Sequence, residues 1–187
     1  MAAEHLLRLG YRRIAAISGT PGLGSTLDRL EGYTQALSAA GITPQEGWVA
    51  PGDYTERGGY RAMQRLLALR PRCEAVFCGN DLTAIGAMRA LSEAGLRVPD
   101  DVAIVGYDDV PVARLVDPPL TTVRQPITEI GRLAAERLID RLEGVEPPEE
   151  AHVGPAFDVE LIIRGSCGAG LPPDARRVTR EPAPGQR

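Results

Sequence analysis

Four short, continuous apolar runs separated by stretches of helical periodicity constrain this chain more than any other feature. The runs lie at Arg13–Ser18, Gly47–Pro51, Ala75–Cys78 and Val102–Val105, and a fifth β-rich stretch follows late, at Phe157–Ile163. Between and around them, apolar residues recur at steps of three and four over residues 2–9, 25–40, 55–70, 81–94 and 127–143. In the second of these, Leu27, Leu30, Tyr33, Leu37 and Ala40 fall on one face, Ser25 and Asp28 resemble a capping box, and Gly41 supplies the stop. Strands that alternate with helices are joined by crossovers and pair in parallel. Apolar runs without strict alternation are expected where helices cover both faces of a sheet. The expected fold is therefore α/β, a doubly wound parallel sheet.

The rhythm changes after the fourth run. Pro118, Pro119 and the residues up to Gln125 read as an extended connector. The helix expected over 127–143 carries Ile127, Ile130, Leu133, Ala134, Leu138 and Leu142 around a wide arc, more apolar surface than one sheet face covers. From 166 onward Gly, Pro and Arg dominate without periodicity, so residues 166–187 read as a disordered tail.

Composition excludes several function classes. The net charge of −4 and the absence of any clustered basic run oppose a polyanion-binding surface. All 21 basic residues are Arg; there is no Lys. Cys73, Cys78 and Cys167 form no CxxC, and His5 and His152 stand apart from them, so no metal site is expected. Buried free thiols, the absence of a leader-like start and the absence of a membrane-length apolar run together point to a soluble cytoplasmic protein.

Ligands of open α/β sheets bind beyond the carboxyl ends of the strands. Four such ends share a composition here: Ser18-Gly19-Thr20, Gly52-Asp53-Tyr54, Gly79-Asn80-Asp81 and Gly106-Tyr107-Asp108-Asp109. Each alone is a turn with a helix cap; together they outline a polar pocket along one edge. Arg29 sharpens the expectation. A cation early in a helix opposes the helix dipole at a cost of about 0.3–1 kcal/mol, so a compensating acceptor is expected, and Asp108 is the candidate. A solvated surface arginine, or one paired with Asp28 or Glu31, is the competing reading.

Enzyme motifs fail one by one. Gly19 to Thr26 has the glycine spacing of a phosphate-cradling loop, but Ser25 stands where the lysine belongs. The same loop with Asp53 faintly echoes a dinucleotide fingerprint, and a short-chain dehydrogenase would need a lysine the chain lacks. There is no G-x-S-x-G elbow, and neither histidine sits at a strand end. Adjacent Asp108 and Asp109 are expected to point to opposite sides, one facing the pocket while the other caps or pairs locally.

The ordered series His5-Leu6-Leu7-x-Leu9-Gly10-Tyr11-Arg12-Arg13-Ile14-Ala15, Arg29-x-x-Gly32-Tyr33, Gly52-Asp53-Tyr54, Gly59-Tyr60, Asn80-Asp81-x-x-Ala84-x-Gly86-Ala87, Gly95-Leu96-Arg97-Val98-Pro99-Asp100-Asp101-Val102, Val105-Gly106-Tyr107-Asp108-Asp109 and Pro119-Leu120-Thr121-Thr122-Val123-x-Gln125-Pro126 resembles the effector-binding domain of LacI/GalR transcriptional repressors over nearly all of residues 2–166. The resemblance implies a periplasmic-binding-protein-like module of two lobes that closes on a small effector, a sugar or a nucleobase, and signals to a DNA-binding headpiece. It implies no enzyme activity and no cofactor. Ligand contacts would be Ser25, Arg29, Tyr54, Asn80, Asp108, Gln125 and Ile127, with Ile85 and Val116 in a homodimer interface. A polyol suits this set, since carboxylate, guanidinium, amide and aromatic face match paired hydroxyls and an apolar ring face. Leu23 stands where some purine-binding relatives carry a basic residue, which disfavours a purine.

By the same resemblance, residues 1–122 form the C-terminal lobe, 123–150 a connector and helix of the other lobe, and 151–165 a strand returning to the first. That other lobe and the helix-turn-helix would be largely missing, so the chain is expected to be an N-terminally truncated regulator that reaches DNA only through a headpiece it lacks. An extracytoplasmic sugar-binding protein of the same fold is the alternative, and an NAD(P)-dependent oxidoreductase a more distant one. The identity of the effector is not legible in the sequence.

Overall fold

The computed structural model describes residues 1–144 and 157–172. Six strands form one sheet: β1 (Ile14–Ile17), β2 (Val49–Ala50), β3 (Ala75–Cys78), β4 (Ala103–Asp108), β5 (Thr121–Arg124) and β6 (Glu160–Ile162), in the order β2-β1-β3-β4-β5-β6. β1 to β5 are parallel and β6 runs antiparallel to β5. The helices are α1 (Ala2–Arg8), α2 (Gly24–Ala39), α3 (Glu56–Ala68), α4 (Asp81–Glu93) and α5 (Ile127–Leu142), with a 3-10 turn at Pro111–Arg114.

The first strand shows why its apolar residues run without alternation. Ala15 and Ile17 face one core with Met63 and Leu66 of α3 and Leu91 of α4. Ile14 and Ala16 face the other, with Leu6 of α1 and Tyr33 and Leu37 of α2. Helices thus cover both faces, and every residue of β1 and β3 is buried. The doubly wound expectation holds.

Strand order decides where a ligand can sit. From β1 the chain moves outward to β2, then returns to place β3 on the other side of β1. The connections therefore part between β1 and β3, which opens a crevice at their carboxyl ends.

Several local expectations are corrected. α2 begins at Gly24 with Leu23 at the N-cap and no side-chain cap, so Ser25 and Asp28 form no capping box. Leu27 is 59% exposed, and Ala40 is exposed too; Thr26 and Ala36 take their places on the buried face. The stretch read as a connector contains β5. Thr121 and Thr122 look polar in sequence, but their hydroxyls are satisfied internally: Thr121 Oγ1 accepts from the Arg164 N–H at 2.9 Å, and Thr122 Oγ1 donates to Asp81 at 2.5 Å. Both side chains are buried, and Val123 beside them belongs to the sheet.

The tail read from 166 onward also starts too early. Ser166 Oγ donates to the Ile104 carbonyl at 2.7 Å and accepts from the Thr121 N–H at 2.8 Å, and Ser166 and Cys167 are fully buried. A serine that joins two neighbouring strands in this way carries no hydrophobic signal. The remainder of that stretch, 173–187, and residues 151–156 of the expected returning strand lie outside the described residues. Cys73 and Cys78 are free and buried, as expected, and Cys167, which falls in the stretch read as tail, is free and buried too. No residue of α5 is buried.

Candidate functional site

The crevice is built by four strand ends. α2 leaves the β1 end and carries Arg29 in its second turn. The Arg29 guanidinium donates to the Gly79 carbonyl after β3 at 2.6 Å and approaches Asp108 Oδ1, at the end of β4, at 3.5 Å. Its Cζ lies 3.9 Å from the centroid of the Tyr107 ring and 5.6 Å from that of Tyr54. Two aromatic faces and a carboxylate thus answer the cation that opposes the helix dipole; a cation–π contact contributes about 0.5–2 kcal/mol. The reading of Arg29 as a solvated cation, or as a partner of Asp28 or Glu31, is set aside.

Asp108 is the other pole. Gln125 Nε2, just past β5, donates to its Oδ1 at 2.7 Å. Burial pushes the Asp108 carboxyl above its ordinary value, with the Arg29 charge and the Gln125 hydrogen bond pulling the other way. Its backbone has φ 110° and that of Asp109 φ 57°. The segment is therefore left-handed, not extended, and a non-glycine residue in a sparse region costs about 1–3 kcal/mol. One aspartate does face the cleft while its neighbour pairs locally, but through this backbone and not through extended-strand alternation. Asp109 Oδ1 accepts from Arg164 Nη2 at 2.5 Å and Oδ2 from Arg124 Nε at 2.7 Å. Burial opposes its charge, and the hydrogen bonds from the two arginines outweigh that effect and hold its carboxyl below the usual range.

Tyr54 follows β2 with φ 64°, and its ring lies against Gly19 so closely that a Cβ there would fall 1.9 Å from Tyr54 Cζ. A side chain at that position would have to displace the Tyr54 ring. The phenol oxygen lies 2.8 Å from Thr26 Oγ1 and 3.3 Å from Ser25 Oγ, and Thr26 Oγ1 donates to Thr20 O at 2.8 Å. Asn80 Nδ2 donates to the Tyr54 carbonyl at 3.1 Å while its Oδ1 caps α4 by accepting from the Thr83 N–H at 2.9 Å. The Asp53 side chain accepts from the Thr55 N–H and hydroxyl, so it is a turn residue.

Of the residues singled out in the sequence, Ser25, Arg29, Tyr54, Asn80, Asp108 and Gln125 converge. Ile127, at the start of α5, is 55% exposed and lines an open cavity of about 710 Å³ with Asp108, Asp109, Arg114, Arg124 and Gln125. Tyr107 and Asp81 stand among the strand-end groups named in the sequence but carry no assigned contact there, and Thr26 is missed. Among the described residues no group of three or more metal-ligating side chains occurs, and no helix is long and apolar enough to cross a membrane.

Asp81 lies directly beneath this site, fully buried, bonded to Thr122 and to the Val110 N–H at 2.8 Å. Burial raises its pKa to about 6, against those two hydrogen bonds, and the charges of Asp108 and Asp109 add to the rise. A folded-state pKa above the unfolded value means stability that is full below the unfolded value of 3.8 and declines as pH rises through about 6. The shift corresponds to about 3 kcal/mol. Asp81→Asn, whose amide can accept from Val110 and donate to Thr122, is expected to remove that decline. Urea unfolding at pH 4.5 and 7.5 measures it; an identical pH dependence in the wild type and the variant would contradict the assignment.

Comparison with known proteins shows the family. A model of the periplasmic binding protein-like domain matches residues 3–167. The chain belongs to that family. A PurR-type transcriptional repressor of Pectobacterium carotovorum subsp. carotovorum (strain PC1) is 42% identical over 177 residues, 95% of this chain and 51% of the relative. Among solved structures, the transcriptional regulator CelR in complex with cellobiose aligns at 40% identity and TM-score 0.80 over 88% of this chain and 49% of the other. A lac repressor dimer bound to operator and an anti-inducer aligns at 32% identity and TM-score 0.78, over 89% of this chain and 48% of the other. Within the periplasmic-binding-protein-like family the chain is of LacI/GalR type, and it spans about half the length of the curated relatives it matches. Those relatives are transcriptional regulators, not enzymes.

Proposed function

We propose that this domain senses a small uncharged polyol, a sugar or its close kin, for a LacI/GalR-type transcriptional regulator. The observation that carries the reading is the Arg29–Asp108 pair across the topological switch point: it neutralises itself, leaves carboxylate lone pairs and guanidinium N–H groups at the cleft, and sits between two tyrosine faces. A charged ligand would disrupt that neutrality. The cellobiose held by the relative supports the sugar class. Asn80 and Ser25 contribute by orienting Tyr54, while Gln125 holds Asp108 and Ile127 supplies apolar surface beside it.

The test is a thermal-shift screen of neutral mono- and disaccharides, cellobiose included, against nucleosides and sugar phosphates. A ligand at about 10 mM with a Kd near 1 mM stabilises by about 1.4 kcal/mol, which raises Tm by about 3–6 °C for a chain of this size. A response confined to the charged members of the panel would contradict the proposal.

α5 is assigned to a second lobe, with the chain leaving the first one after β5, at residue 124 and not at 122. Its exposed Ile127, Leu138, Ile139 and Leu142 support this. The cytoplasmic setting of a regulator and contact with DNA through a separate headpiece follow from the same reading.

A homodimer face is placed where α4 meets the 3-10 turn, which the Asp81–Val110 hydrogen bond brings together. Ile85 and Val116 are half-buried there, and Leu82, Val112 and Leu115 are exposed, Leu115 at 78%. Ile85→Glu, which sets a charge in that apolar surface, is expected to weaken self-association at least tenfold by sedimentation equilibrium while Tm stays within a few degrees. Unchanged association would remove Ile85 from the interface.

A further inference from the structure

Two consecutive left-handed residues at the end of β4 need an explanation of their own. Asp108 has φ 110° and Asp109 φ 57°, and a non-glycine pair of this kind persists only where its surroundings over-determine it. The surroundings of Asp109 do so. Its carboxylate is 3% exposed and lies between two guanidinium groups, Arg164 from the segment after β6 and Arg124 at the end of β5. Arg164 is itself fixed, donating through Nη1 to the Leu120 carbonyl at 2.8 Å and through its backbone N–H to Thr121 Oγ1 at 2.9 Å. Arg124 pairs outward with Glu160 of β6 at 3.2 Å. On the far side of the turn, Asp81 accepts from the Val110 N–H. The turn that presents Asp108 is thus gripped from the β5 and β6 side by two arginines and from the α4 side by a carboxylate.

We propose that Asp109, clamped by Arg164 and Arg124, is the positioning residue that holds the Asp108 carboxylate in the cleft. Both carboxylate oxygens of Asp109 are taken up by the two arginines, so it acts through the backbone it shares with Asp108. The β6 segment, remote in sequence from the strand ends that form the site, therefore sets the site's geometry through Arg164. Its consequence for ligand recognition rests on the function proposed above, but the clamp itself does not, and it is tested without any ligand.

The readout is the titration of Asp108, followed by carboxyl-carbon NMR in the full 187-residue chain and assigned by its absence in Asp108→Asn. The charged or polar groups facing Asp108 are Arg29 from α2, Gln125 past β5, Asp81 from α4 and Asp109 beside it. In Arg164→Ala, loss of a nearby positive charge would by itself raise the Asp108 titration. Release of the turn into solvent instead lowers it toward the ordinary carboxylate value, and that downward shift is expected. An unchanged or raised titration in folded Arg164→Ala would overturn the proposal and leave Arg164 as a stabilising residue only. Where Arg164→Ala does not fold, Arg124→Ala, which removes the more exposed arginine, is read in its place. The same downward shift, smaller, supports the clamp, and no shift or a rise overturns it.

Discussion

Gly86→Ala is expected to lower stability by about 3 kcal/mol or more, seen as a fall in the urea midpoint at unchanged slope. A Cβ at Gly86 would lie 1.9 Å from the Glu56 carbonyl oxygen and 2.7 Å from the Tyr60 nitrogen, both backbone atoms of α3. At Gly59 the counterpart would fall 2.1 Å from the Thr83 carbonyl oxygen of α4. No side-chain rotation relieves such contacts, so the two helices must separate, and separation loosens the core that Ala62, Met63, Ala84 and Leu91 fill between them and the sheet. Overpacking of this kind costs about 1–3 kcal/mol when side chains can yield and more when backbone must move. The helix propensity gained by Gly→Ala, about 1 kcal/mol, does not offset it. Gly32→Ala on α2 is the control: nothing lies within 4 Å of its Cβ, so stability should rise by about 0.5–1 kcal/mol. Equal and small effects at Gly86 and Gly32 would contradict the packing described here.

Arg29→Ala and Asp108→Ala are each expected to weaken binding of the ligand found in the sugar screen by about 100-fold or more. A hydrogen bond to a charged group contributes about 1.5–3 kcal/mol, and each variant also leaves its former partner half-buried without its opposite charge. Calorimetric titration measures the loss, and circular dichroism checks that the fold persists. Alanine at φ 110° adds backbone strain, so Asp108→Asn is the companion variant; it tolerates that conformation and isolates the loss of charge. Asp100→Ala, in the turn before β4, should bind as the wild type does. Wild-type affinity in both cleft variants would remove these residues from the site.

What the sequence disclosed, and what it concealed, follows from where each signal resides. β1 and β3 were legible because both faces are covered, so the residues are apolar without a break. β5 was not, because its buried threonines hide their hydroxyls in bonds to Asp81 and Arg164, partners 41 and 43 residues away. Leu27 fits the helical period yet is 59% exposed, and periodicity carries no information about which turns of α2 have a packing partner. Ser166 looks like tail and is a strand-bridging core residue. In the site, Arg29 was legible because a cation early in a helix is locally unfavourable and asks for a partner. Asp108 was legible from its place at a strand end. Tyr107 and Asp81 were visible as strand-end groups but their roles were not, since a ring under a guanidinium and a carboxylate bonded to a turn exist only once α2, β4 and α4 are assembled. Asp109 was read as a local partner without the identity of its arginines, one from β5 and one from the segment after β6.

The most direct measurement of the central claim is backbone amide NMR of this chain titrated with the neutral sugar that raises Tm. The account predicts saturable shifts centred on the amides of Gly19, Arg29, Tyr54, Gly79, Asn80, Asp108 and Gln125, all at the carboxyl edge of the sheet. Shifts that saturate elsewhere, for example around α5 or the amino ends of the strands, while these amides stay still, would show that the Arg29–Asp108 cleft is not where the ligand binds.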